Sequence, residues 1–193
     1  MSPQRKFWMR WRVRLGYPIA VVYWLLATPT LRAILIGGVI AAFGLLVRGL
    51  AAGYLRKDQQ LAVAGPYALS RNPLYLGSSF LAVGFAIAGH SWVAGALLWT
   101  YFAVFYYAVM RNEESDLRAR FGAEYESYAA RVPLFFPRLF RTPERPPGSG
   151  TKAEEGFTWQ LYRRNRESRA LLGTISALAA VALRIWVRAH FGH

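Results

Sequence analysis

The chain contains no cysteine, only three histidines, and only 10 acidic residues against 24 basic ones. The lack of cysteine excludes disulfides, thiolate metal sites and a cysteine nucleophile. His90, His190 and His193 are scattered or terminal, which argues against a metal site. The shortage of acid leaves a formal charge of +14 on 193 residues, the length of one domain. A soluble protein that basic would suggest nucleic acid as a partner. Yet 54% of the residues are hydrophobic and 16% aromatic. Neither a nucleic-acid binder nor a disordered basic tail is expected to be so apolar. The two features together fit a membrane protein whose charges are segregated from its apolar segments.

Apolar runs organise the chain. Arg5, Lys6, Arg10, Arg12 and Arg14 precede the first run with no acid among them. A signal peptide also begins this way, but no small-x-small cleavage site follows and further apolar runs do, so we read a retained helix. The expected spans run from about Leu15 to Thr28 (ending at Pro29), Ala33 to Leu50, Pro73 to Gly89 and Trp92 to Met110. A last run covers about Ala170 to Val187 and is interrupted by Arg184. A straight crossing needs roughly 20 residues, so the first and third are short. Only Gly89, His90 and Ser91 separate the third from the fourth, which predicts a tight antiparallel hairpin.

The expected fold is therefore all-α: an integral membrane bundle of about five transmembrane helices, with a cytoplasmic helical extension after the fourth. Only Arg32 lies between the first two spans, and no Lys or Arg lies between the third and fourth. The N-terminus and the 51–72 and 111–169 segments hold nearly all other charges, including all ten acids. The positive-inside rule places that side, and the N-terminus, in the cytoplasm of a multi-pass inner-membrane protein. Residues 142–156, rich in Pro, Gly and charge, read as a flexible linker. They divide a core, 1–141, from a C-terminal membrane-associated or transmembrane helix, 157–193. The basic cluster Tyr162-Arg163-Arg164-Asn165-Arg166 at the foot of the last run reads as a lipid-headgroup anchor, not as a nucleic-acid site.

Two cytoplasmic segments carry chemistry. The first runs Gly65-Pro66-Tyr67-Ala68-Leu69-Ser70-Arg71-Asn72-Pro73-Leu74-Tyr75-Leu76-Gly77. Gly-Pro marks a turn, and Asn72-Pro73 predicts a helix start with Asn as the cap. Arg71 then stands beside a helix N-terminus, which favours anions. The plainer alternative is a capped helix with a snorkelling Arg and an interfacial Tyr. The second segment, Arg111-Asn112-Glu113-Glu114-Ser115-Asp116-Leu117, follows the fourth span without a breaker. Glu114 has Arg111 three residues before it and Arg118 four after, as a surface ion pair would. Glu113 has no cation at helical spacing and should find a partner elsewhere. The hairpin brings the segments together, with Arg71 and Tyr75 expected to face Glu113 and Arg111. Such a two-pole pocket suits a zwitterionic ligand.

Gly65-Pro66-Tyr67, Arg71-Asn72-Pro73-Leu74-Tyr75-Leu76-Gly77, Glu113-Glu114 and Phe121-Gly122…Tyr125…Tyr128…Val132-Pro133, in that order, resemble the isoprenylcysteine carboxyl methyltransferase and phospholipid methyltransferase families. The resemblance covers about 55–140. The families' usual Arg-His-Pro-x-Tyr pattern has Asn72 in place of His here. The resemblance implies a small helical membrane bundle that holds S-adenosyl-L-methionine. It implies that Tyr67, Asn72, Pro73, Leu74 and Tyr75 line the cofactor pocket, that the Gln60–Leu61 stretch closes it through its backbone, and that Glu113 contacts the cofactor.

From that resemblance the expected function is methyl transfer to a membrane-embedded acceptor, prenylcysteine carboxylate-like or a lipid amine. Glu113 would hold the cofactor ammonium or ribose hydroxyls, and Arg71 or the N-terminus of the third helix its carboxylate. Arg111 would orient an anionic acceptor group, and Glu114 or a tyrosine would assist where an amine acceptor must lose a proton. Two alternatives stand beside it: an NADPH-dependent reductase-like protein and a non-catalytic membrane protein that keeps the fold.

Overall fold

The computed structural model describes residues 3–56, 60–137 and 156–191. All regular structure among them is helical. Helix α1 spans Pro3–Leu26, α2 Leu31–Tyr54, α3 Pro73–Ala88, α4 Trp92–Phe121, α5 Ala123–Arg131, α6 Trp159–Arg164 and α7 Ser168–Phe191, with a 3-10 turn at Gly65–Ala68. By length and apolarity, α2, α4 and α7 are able to cross a membrane; Arg14–Leu26 and α3 are shorter apolar helices. The expected linker lies outside the described residues except for Gly156.

The helix starts follow local chemistry. Thr30 caps α2 by accepting from the Ala33 N–H, and Ser91 caps α4 by accepting from the Ala94 N–H. The α1 helix begins well before the expected Leu15, because nothing in the basic N-terminal stretch breaks it. Arg184 does not interrupt α7. Its Nη2 donates to the Leu25 carbonyl at 2.9 Å, satisfying an orphan acceptor at the end of α1. Its guanidinium also lies 4.8 Å from the centroid of the Trp24 ring.

The bundle is polarised by side-chain size. On α2, Leu35, Ile36, Val39, Phe43, Leu46 and Leu50 are exposed, while Ala33, Gly37, Ala41, Gly44, Ala51 and Ala52 are buried. Large apolar groups outside and small ones inside is how helices pack in lipid, where close backbone approach replaces the hydrophobic drive. The α2–α3 pair shows it most strongly. A Cβ at Gly44 would meet the Gly77 carbonyl oxygen at 2.6 Å, and Gly37 abuts Gly84 and Ala88 in the same way.

Two apolar clusters mark the two ends. At the α3–α4 turn, Tyr23, Ala88, Ala94 and Val181 pack together, and the Thr28 N–H donates to the Gly89 carbonyl. At the opposite end Leu61, Tyr125 and Tyr128 form a cluster against Leu117, Phe121 and Val132. The two segments singled out in the sequence meet at this second end.

Candidate active site

The entry to α3 is fastened by a clasp. The Arg71 N–H donates to the Pro133 carbonyl at 2.9 Å, the Ser70 hydroxyl to the Phe135 carbonyl at 2.8 Å, and Asn72 Nδ2 to the Leu134 carbonyl at 3.0 Å. Ser70 Oγ also accepts from the Asn72 N–H. Asn72 occupies the cap position of α3 and Pro73 its first turn, as the sequence predicts, but the Asn72 side chain makes no capping bond. Its amide is spent on Leu134, and the Ser70 oxygen takes the local N–H instead.

Below the clasp, α4 continues past the apolar run to Phe121 and stops at Gly122, whose φ of +50° costs a residue without Cβ little. Helix α5 then folds back, and the buried Tyr128 hydroxyl donates to the Tyr67 carbonyl at 2.7 Å. Tyr67 is itself buried in the 3-10 turn. Burial raises the pKa of both phenols well above the ordinary value. For Tyr67 the charges of Glu113 and Glu167 push the same way, and Arg48 opposes them.

At the centre lies Glu114, only 3% exposed. Its Oε1 accepts from Arg71 Nη1 at 2.6 Å and pairs with Arg118 Nη2 at 3.3 Å; its Oε2 accepts from Arg111 Nη1 at 2.6 Å. Arg71 Nη1 also donates to the Tyr125 hydroxyl at 3.1 Å, and the Arg118 guanidinium sits 5.9 Å from the Tyr125 ring centroid. Burial opposes the charge on Arg71, but the bonds to Tyr125 and Glu114 outweigh it and hold its pKa above the ordinary value. Arg118 Nε also donates to Glu126 Oε1 at 2.7 Å, so three guanidinium groups meet two carboxylates and one positive charge is left over. Arg71 Nε is buried with no hydrogen-bond partner among the described residues.

The structure therefore corrects two expectations. Arg71 faces Glu114, not Glu113, and Glu114 belongs to a buried network, not to a surface ion pair. The i−3 and i+4 arginines were visible in the sequence, but the third comes from 43 residues away. Glu113 is half-buried and has an interaction of its own. Tyr75 sets its ring edge-on to Tyr106 at 5.4 Å. Pro73 is fully buried, and the Leu74 carbonyl accepts from Ser78 and from Arg48. Arg111 is about half exposed. Leu61 is buried against Tyr125 and Tyr128, whereas Gln60 is exposed. Ser70, Tyr125 and Arg118 join the site without having been singled out as site residues; only the Tyr125 spacing and the Arg118 register hinted at them.

Comparison with known proteins gives this geometry a context. A family model described as phospholipid methyltransferase matches residues 30–124. The chain is 40% identical over 84 residues to the nickel-cobalt-cadmium resistance protein NccN of Alcaligenes xylosoxydans xylosoxydans, covering 44% of this chain and 39% of that one. It is 40% identical over 84 residues to the cobalt-zinc-cadmium resistance protein CzcN of Cupriavidus metallidurans, covering 44% and 38%. It is 42% identical over 83 residues to methanethiol S-methyltransferase 2 of Bradyrhizobium diazoefficiens, covering 41% and 30%. The matched part thus spans less than two-fifths of the length of each of these relatives. No solved structure matches. Arg71, Glu113, Glu114 and Arg118 all fall inside the matched residues, and through residues 30–124 the chain is similar to the phospholipid methyltransferase family.

Proposed function

We propose that the chain is an S-adenosyl-L-methionine-dependent methyltransferase acting on an amphiphilic acceptor at the cytoplasmic face of the inner membrane, with five crossings and a cytoplasmic N-terminus. The observation that carries this reading is the Arg71–Glu114–Arg111–Arg118 network, centred on the buried Glu114, within the family-matched residues. Its excess positive charge and the unspent Arg71 Nε suit a carboxylate or phosphate. Glu113 and the Tyr67 hydroxyl offer the opposite pole nearby. Those donors and acceptors fit a zwitterion such as S-adenosyl-L-methionine, which supplies an activated methyl group when bound.

In this reading Arg71 binds the cofactor carboxylate and Glu113 the ammonium or ribose hydroxyls. Tyr67, Asn72, Pro73, Leu74 and Tyr75, with the Gln60–Leu61 backbone, wall the pocket and exclude water. Glu114 is assigned to holding Arg71 and Arg111 in place, because its two oxygens are already engaged by three cations. Arg111, open to solvent on one side, orients an anionic acceptor. An acceptor that arrives without a proton to lose, such as a prenylcysteine-type carboxylate or a thiolate, fits this site better than a lipid amine. The name of the Bradyrhizobium relative gives that protein a thiol acceptor. The names of the two resistance proteins state no reaction.

The test is transfer of a labelled methyl group to a total membrane lipid extract, with identification of the product, alongside calorimetry with S-adenosylhomocysteine. A labelled lipid and measurable binding support the reading; neither product nor binding overturns it. An unchanged affinity in Glu113→Gln would remove Glu113 from the cofactor site.

A further inference from the structure

We infer that Arg48, gripped by Glu167, is a positioning residue for the first turns of α3, so that the 156–168 segment, outside the family-matched residues, braces the site. The inference deepens the methyltransferase reading and rests on it only for the identity of the ligand.

Arg48 lies on α2, within a helix otherwise apolar enough to cross a membrane. A charge there is costly unless it is paired and its hydrogen bonds are met. All three of its nitrogens are used. Nε donates to Glu167 Oε2 at 3.0 Å and Nη2 to Glu167 Oε1 at 2.8 Å, a two-pronged grip on the carboxylate. Nη1 turns the other way, donating to Ser78 Oγ at 2.5 Å and to the Leu74 carbonyl at 3.4 Å. Ser78 in turn donates to the same Leu74 carbonyl at 2.9 Å. One guanidinium thus ties the tail to the α3 turn that carries Leu74 and Tyr75. A lysine ammonium has no planar fork with which to serve both sides.

Two further features show that the arrangement is built. Gly77 leaves room for the Arg48 stem, and its absent Cβ would lie 2.6 Å from Arg48 Cγ. The tail, meanwhile, is seated on the end of α2 by contacts that aim Glu167 inward. The Thr158 N–H donates to the Gly53 carbonyl at 3.0 Å, and Asn165 Nδ2 donates to the carbonyls of Ala52 and Leu55 at 2.8 Å each. Arg166 then takes a left-handed φ of 57°, a conformation a non-glycine residue adopts at a cost. The turn leaves Glu167 buried between exposed Arg166 and Arg169. The charges of Arg48 and Glu167 also reach the Tyr67 hydroxyl, so the network borders the candidate pocket.

The alternative is that the pair only staples the tail down. Amide hydrogen exchange on the full chain in lipid nanodiscs separates the two, with S-adenosylhomocysteine affinity as a second readout. Arg48→Gln and Glu167→Gln should each speed exchange at amides 74–78 about tenfold, leave amides 94–105 of α4 at wild-type rates, and weaken S-adenosylhomocysteine binding about tenfold. The reversed pair, Arg48→Glu with Glu167→Arg, restores the attraction but not the α2-borne donor to Leu74 and Ser78. It should protect the 158–167 amides again and leave 74–78 fast. Unchanged exchange at 74–78 in Arg48→Gln, or its full recovery in the reversed pair, overturns the inference. Should Arg48→Gln not fold, Ser78→Ala takes its place: it keeps the ion pair, and unchanged exchange at 74–78 is again the overturning result. If the wild-type chain does not bind S-adenosylhomocysteine, the methyltransferase reading fails, and exchange at 74–78 still decides the role of Arg48.

Discussion

Gly77 and Arg48 share one space: the arginine's aliphatic stem runs where any side chain on residue 77 would stand. Gly77→Ala should therefore destabilise the protein by about 1–3 kcal/mol, the usual cost of overpacking. Gly173→Ala is the control. Nothing lies within 4 Å of a Cβ there, so a methyl group in mid-helix should be neutral or raise stability by up to about 1 kcal/mol. Thermal unfolding in detergent micelles checks both.

Glu114→Gln should be more damaging than any change at Arg111 alone. It leaves Arg71 buried without its carboxylate, and removing one partner of a buried pair costs about 3–5 kcal/mol. Arg111→Gln takes away a half-exposed guanidinium while Arg71 and Arg118 remain, so it should cost no more than about 1 kcal/mol. Urea unfolding of both variants in the same detergent makes the comparison.

The clasp between residues 70–72 and 133–135 depends on Asn72 as a donor. Asn72→Asp places a carboxylate against the Leu134 carbonyl and should cost about 1–3 kcal/mol for the lost bond and the unmet acceptor. Asn72→His keeps a ring N–H and should cost less. Proteolytic sensitivity around residues 132–136 reads the difference: Asp faster than wild type, His close to it.

Stability should decline at alkaline pH. Tyr67 and Tyr128 both have pKa values raised by burial. The unfolded chain, with ordinary phenols, releases these protons first, so their contribution is intact below about pH 10 and is lost as the pH climbs toward the folded-state values. Melting temperature should fall above about pH 10, with phenolate absorbance appearing together with unfolding. In Tyr128→Phe the fall should be shallower, against a lower starting stability from the lost bond to the Tyr67 carbonyl.

What was legible in the sequence was local. Pro73 marks a helix start because proline preference acts within one turn, and α3 begins where Pro73 predicts. The continuation of α4 beyond Met110 was legible for the same reason: no breaker occurs before Gly122. The order of apolar runs gave the α3–α4 hairpin, and with it the meeting of the two polar segments. What was not legible was partner choice at long range. Glu114 has suitable cations at helical spacing, and nothing local says that Arg71 is a further partner. Asn72 looks like a cap, and only the fold brings the Leu134 carbonyl to claim it. Arg48 and Glu167 are 119 residues apart, and pair only because Asn165 seats the tail on α2.

The shortness of α3 has a kinetic consequence. Its 16 residues measure about 24 Å, against a hydrocarbon core of about 30 Å. If α3 crosses with the α3–α4 turn at one boundary, the Asn72–Tyr75 end stops short of the other, below the plane of the headgroups. The lipid-borne acceptor of the proposed function would then keep its tails in the bilayer throughout. Its effective concentration is then a mole fraction in two dimensions, not a molarity. On the proposed function, diluting it with inert lipid at constant bulk amount should slow turnover, and adding more vesicles of the same composition should not.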